Sequence, residues 1–202
     1  MPIMEPGGPD LNQQEVKLFE AAQLAQRLVA GLLGFHAALT LLEDDRVLAL
    51  IPPKNPGDIV VEGLLPHLGC DKGHAYHFTN YLDQIRSEPN RTLIHRLWAS
   101  NALIRFGEAL KQHGYFNRNP CLEMIRHLRN AVAHGERFEI RDPQKLAKYP
   151  AFLTAGLCHW EITPALDGKP LYDVVSMGDI ASVIQHAGIH LNNMALERHV
   201  QR

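Results

Sequence analysis

Asn119-Pro120-Cys121-Leu122-Glu123-Met124-Ile125-Arg126-His127-Leu128-Arg129-Asn130-Ala131-Val132-Ala133-His134-Gly135 is the stretch on which the reading of this chain turns. Asn119 has the side-chain oxygen of a helix cap, and Pro120 suits a first helical position, whose N–H has no intrahelical partner anyway. Gly135 lets the chain leave in a left-handed conformation. Between these ends, Cys121, Ile125, Leu128 and Val132 recur at steps of four, three and four, which makes one apolar stripe along an amphipathic helix. Glu123, Arg126, His127, Asn130 and His134 fall on the other side, with Arg129 beside them on a side chain long enough to swing over the same patch. Asn130 and His134, four apart, are surface neighbours, so the amide can orient the imidazole.

Working outward, residues 91–112 carry Leu93, Ile94, Leu97, Trp98, Leu103, Ile104, Phe106 and Leu110 around much of a helical cylinder, as befits a bundle centre. Asn12 and Glu15 form a capping box, with Asn in place of Ser or Thr, before a long apolar helix through Leu18, Ala21, Ala25, Val29 and Leu32 that runs on toward Leu42. Pro52-Pro53 and Pro56-Gly57 predict a loop-rich connection. A strand is expected at 58–61, and a helix at 71–87 that Glu88-Pro89 ends. Beyond the quoted stretch the period changes. Residues 137–140, 157–163 and 171–175 read as strands, the last two forming a hairpin around Asp167-Gly168. Ser176 and Asp179 cap a final helix carrying Ile180, Val183, Ile184, Ala187, Leu191 and Met194.

The expected fold is mostly α, a helical bundle with a small β-hairpin and a final helix appended at the C-terminus. Residues 1–10 would be a flexible tail, 11–141 the helical core carrying the quoted helix, and 142–202 the hairpin and C-terminal helix packed on the same domain. At 202 residues with 46% hydrophobic and 21% charged side chains, the chain has the composition of an ordinary globular protein rather than a disordered one. Lys+Arg 20 against Asp+Glu 22 leaves a formal charge of −2, so a polyanion would have to be held by a local patch. Three scattered cysteines make no disulfide framework, and the apolar runs read as too short for a membrane span. A cytoplasmic protein with no membrane partner is expected.

An arginine, an amide and a histidine on one patch suit phosphodiester chemistry. A guanidinium grips a phosphate and opposes charge growing on it, and an imidazole moves protons near neutrality. The plainer alternative is a polar helix face with an ordinary C-terminal histidine. The string Arg129-Asn130-Ala131-Val132-Ala133-His134 resembles the R-N-x-x-x-H signature of the HEPN superfamily (higher eukaryotes and prokaryotes nucleotide-binding domains) over residues 120–140.

That resemblance implies a HEPN-like helical bundle acting as a metal-independent endoribonuclease in a toxin–antitoxin or phage-defence setting. It also implies a homodimer in which two such helices meet, RNA as substrate, an antitoxin protein as partner, and no cofactor. Carried over, Arg129 binds the scissile phosphate, His134 is the general acid or base, and Asn130 positions it. Arg126 and Arg137 would add a basic groove that binds substrate phosphate, whereas His127 reads as a solvated surface residue. The alternative is a non-catalytic helical HEPN-type module that binds a partner protein or a nucleotide. His186 and His190 have the spacing of a metal clamp but lack further ligands, so a structural role is expected for them.

Overall fold

Asn12 and Glu15 close a reciprocal capping box: the Asn12 amide donates to Glu15 Oε2 at 2.9 Å, and the Glu15 amide to Asn12 Oδ1 at 2.9 Å. It starts α1 (Gln13–Leu41), 29 residues long. The computed structural model describes residues 12–49, 58–61, 74–77, 84–155 and 158–200. The expected tail at 1–10 lies outside these. Contrary to the reading of its apolar runs, α1 is by length and composition apolar enough to cross a membrane, the one such helix among the described residues. One face of it (Leu18, Ala21, Ala22, Ala25, Leu32) is buried in the core.

The chain divides into two compact units, residues 34–97 and the remainder. Within 34–97, Asp44 caps α2 (Asp45–Leu48), and Arg46 beside it holds the Asp44 carboxyl below its ordinary range. β1 (Asp58–Val61) pairs antiparallel with β2 (His74–His77), Asp58 opposite His77 and Val61 opposite His74. The strand expected at 58–61 is present. The helix expected at 71–87 is not: among the described residues of that span, 74–77 are β2 and only 84–86 are helical. His74 and Tyr76 alternate with Ala75 and His77 at the period of a strand, and Ile59-Val60-Val61 supplies a β-branched partner.

The other unit is built around the quoted helix. α3 (Asn90–Lys111) spans both units and contributes Leu103, Phe106 and Leu110 to the core. Gly114, Tyr115, Phe116 and Arg118 all have positive φ, so α4 (Tyr115–Arg118) is a single left-handed turn. Each side chain in that conformation costs about 1–2 kcal/mol; burying Tyr115 and Phe116 offsets it. Asn119 then caps α5 (Pro120–Ala133), accepting from the Cys121 amide at 3.0 Å, with Pro120 in the first turn. Leu122, Met124, Ile125, Leu128 and Ala131 are fully buried in it. Gly135 and Glu136, both at positive φ, end the helix.

Asp142 caps α6 (Pro143–Lys148), accepting from the Lys145 amide at 2.9 Å. A hairpin follows, but with a different partner from the one expected. β3 (Phe152–Ala155) pairs with β4 (Cys158–Glu161), Phe152 opposite Glu161. Residues 171–175 instead form a short helix, α7 (Leu171–Val174), after a 3-10 turn at Pro164–Leu166. Pro170 lacks the N–H a ladder needs, and coiling puts Leu171 and Val175, four apart, into the core together. The strand expected at 137–140 is not formed: that segment has one isolated bridge, Arg137 with Pro170, rather than a ladder.

Ser176 and Asp179 close a second capping box, amide to Oδ2 at 2.8 Å and amide to Oγ at 3.1 Å, and start α8 (Met177–Val200). α5 packs against α8, β3, α4 and α7. Gly188 admits α1 to α8: a Cβ there would stand 2.7 Å from the Ala25 Cβ. The protein is mostly helical, with two small two-stranded antiparallel sheets among the described residues.

Candidate functional site

The polar side of α5 is not a solvated face. Glu123 is completely buried, with Arg118 Nη1 donating to its Oε1 at 3.0 Å and Arg126 Nε donating to its Oε2. Arg126, its side chain 15% exposed, lies 2.9 Å through Nη2 from His127 Nε2. A guanidinium only donates, so Nε2 accepts and the ring proton belongs on Nδ1. Burial, and then the Arg126 charge, push the His127 pKa down to about 4. His127 is therefore a buried neutral ring that braces an arginine. This corrects the expectation of a solvated surface residue: the ring is packed away from water on a helix against which β3 also lies.

A cleft of about 210 Å³ opens beside the network. Arg126, Asn130 and His134 line it from α5, each four residues from the last, and Glu139, Arg141 and Lys145 line it from the segment that follows. His134 is the C-terminal cap residue of α5 and 48% exposed. Its Nε2 lies 3.2 Å from Glu139 Oε2, while Glu139 Oε1 accepts from Arg141 Nε. The carboxylate orients the ring, the part expected of Asn130. Phe138 and Ile140 are buried to either side of Glu139. That alternation in the sequence was the signal that Glu139 faces away from the core, toward His134.

Arg129 does not share the cleft. Its Nη2 pairs with Glu108 on α3, and its Nη1 donates to Asn130 Oδ1 at 3.0 Å. Its Nε is buried with no hydrogen-bond partner. Gly107 makes room for it: a Cβ there would stand 2.6 Å from Arg129 Cγ and 2.8 Å from its Cβ. Asn130 thus lines the cleft while its carbonyl oxygen serves Arg129. Arg137, expected in a basic groove, is exposed and donates from Nη1 to the Gly168 carbonyl at 2.9 Å, away from the cleft. So the structure brings His134, Asn130 and Arg126 together, and leaves Arg129 and Arg137 outside.

Among the described residues, no group of three or more His, Cys, Asp or Glu is placed to hold a metal ion. His186 Nδ1 lies 2.8 Å from the Ser182 carbonyl, and His190 Nε2 is buried without a partner. Cys121 is half-buried on α5, and burial pushes its thiol up to about 12, which makes it a packing residue rather than a nucleophile. No family model matches this chain, and neither a curated protein nor a solved structure matches it.

Proposed function

We propose that this chain is a HEPN-like, metal-independent endoribonuclease that works as a cytoplasmic homodimer in a toxin–antitoxin or defence system. The observation that carries the reading is His134. It is half-exposed in a cleft with basic side chains, and a carboxylate 3.2 Å from its ring fixes its orientation. In the reaction the 2′-oxygen of a ribose bonds to the adjacent phosphorus and the P–O5′ bond breaks. The products are a 2′,3′-cyclic phosphate and a 5′-hydroxyl. One proton leaves the 2′-hydroxyl and one arrives on O5′, and His134 carries one of these transfers. Asn130 lies beside it on the cleft wall. In the homodimer, Arg129 from one copy of α5 serves with His134 of the other and opposes charge on the phosphate.

The deciding experiment incubates purified protein with RNA in excess chelator. The wild type cuts it, and His134→Ala, altered at an exposed side chain, leaves it whole with an unchanged circular dichroism spectrum. RNA left whole by the wild type, with and without added metal, sinks the reading. A second reading has one observation in its favour: the pairing of Arg129 with Glu108 suits a non-catalytic module that binds a protein or nucleotide, in which that arginine ties two helices together.

A further inference from the structure

The cleft beside His134 has a floor and a far wall that the motif does not describe. Arg126 is braced from two sides by groups that are themselves buried, Glu123 and His127. Those bonds use Nε and Nη2, so the hydrogens on Nη1 stay outside both. A guanidinium held this way loses little freedom on meeting an anion. Across the cleft, Arg141 is matched by Glu139, whereas Lys145 on α6 is exposed and its side chain has no ion pair among the described residues. At about 210 Å³ the space falls below the roughly 300–1,000 Å³ of pockets that enclose a small molecule. A whole nucleotide is too large to be enclosed there. A phosphate with part of its sugar fits, provided the rest of the ligand stays outside, as the rest of a strand does.

We propose that this cleft seats one internucleotide phosphate of a single-stranded RNA between Arg126 and Lys145, so that the strand passes His134. The identity of the strand rests on the nuclease reading; the seat itself rests on the geometry. The test measures fluorescence anisotropy of a labelled 2′-O-methyl oligouridine, which has no free 2′-hydroxyl and is not cut by 2′-attack. Titrations run over a series of salt concentrations. Lys145→Ala is expected to weaken binding several-fold and to flatten the plot of log affinity against log salt by about 0.7, the contribution of one single-strand phosphate contact. Lys145→Arg is expected to restore both, and Lys169→Ala, an exposed lysine outside the cleft, to change neither.

Wild-type affinity and slope in Lys145→Ala overturn the seat, even for a protein that cleaves RNA. No binding by the wild type overturns it as well. Full displacement of the probe by millimolar inorganic phosphate marks a free-anion site and overturns the strand assignment. A protein that binds the probe through Lys145 yet leaves RNA whole removes the nuclease reading and leaves the seat standing.

Discussion

Glu123 is the residue whose removal tests the buried network most directly. It is fully buried, and its two oxygens take one arginine each: Arg126, 15% exposed at the side chain, and Arg118, 38% exposed. Breaking a buried pair by deleting one partner costs about 3–5 kcal/mol, because the other charge stays behind. The Arg126 bond qualifies in full. Arg118 reaches enough solvent that its share is nearer the value of a surface pair, below about 1 kcal/mol. Glu123→Ala should therefore destabilise the protein by about 4 kcal/mol, which at 2–4 °C per kcal/mol for a chain of this size lowers the melting temperature by roughly 8–16 °C. Glu123→Gln keeps the shape and one acceptor oxygen and should lose about half as much. Thermal unfolding followed by circular dichroism, with urea titration as the second measure, reads both. A drop of under about 3 °C for Glu123→Ala, the level of an ordinary surface change, would refute the network as a structural element.

Two further outcomes concern α5, one through its contact with α3 and one through His127. Gly107→Ala places a methyl group 2.6 Å from Arg129 Cγ, at the root of a side chain tied to Glu108, so α3 and α5 must separate; a loss of about 1–3 kcal/mol in urea unfolding is expected, and no loss would show that this contact is loose. His127 has its folded pKa depressed to about 4 from an unfolded value near 6.5. The unfolded chain then binds the extra proton first, so stability falls as the pH drops through 6.5 and keeps falling until about 4. Between pH 7 and pH 5 this amounts to about 2 kcal/mol, which His127→Gln should abolish; equal pH slopes in the two proteins would contradict a neutral buried ring.

How much of this was legible in advance depended on how local the cause was. Both capping boxes, Asn12 with Glu15 and Ser176 with Asp179, form as read, because a cap is decided by residues three apart. Asn119 and Pro120 open α5 for the same reason. Pairings decided by distant partners were not legible. The C-terminal hairpin pairs 158–161 with 152–155 rather than with 171–175, a choice made by Pro170 and by the burial of Leu171 and Val175. Likewise the amphipathic reading of α5 identified Ile125 and Leu128 correctly as core. It misplaced Glu123 and His127, since the burial of that side depends on elements from elsewhere in the chain that pack on the helix.

The same geometry limits what a single copy of the motif can do. At 100° per residue, Arg129 and His134, five apart, are turned by about 140° about the helix axis, whereas Arg126, Asn130 and His134 advance by four and stay within about 40° of one another at each step. A side chain at the end of a helix adjusts by tens of degrees, not by 140°. Within one chain the arginine that shares a face with His134 is therefore Arg126, and Arg129 is turned toward α3, where Glu108 waits for it. A reaction that needs the Arg129 guanidinium on the phosphate beside His134 must bring it from a second copy of the helix, and must also release it from Glu108. A reaction served by Arg126 needs neither. On the proposed reading, the five-residue spacing of Arg129 and His134 leaves the pair split between two faces of one helix, and Arg126, one turn before Asn130, is the arginine of α5 that a phosphate in the cleft would meet.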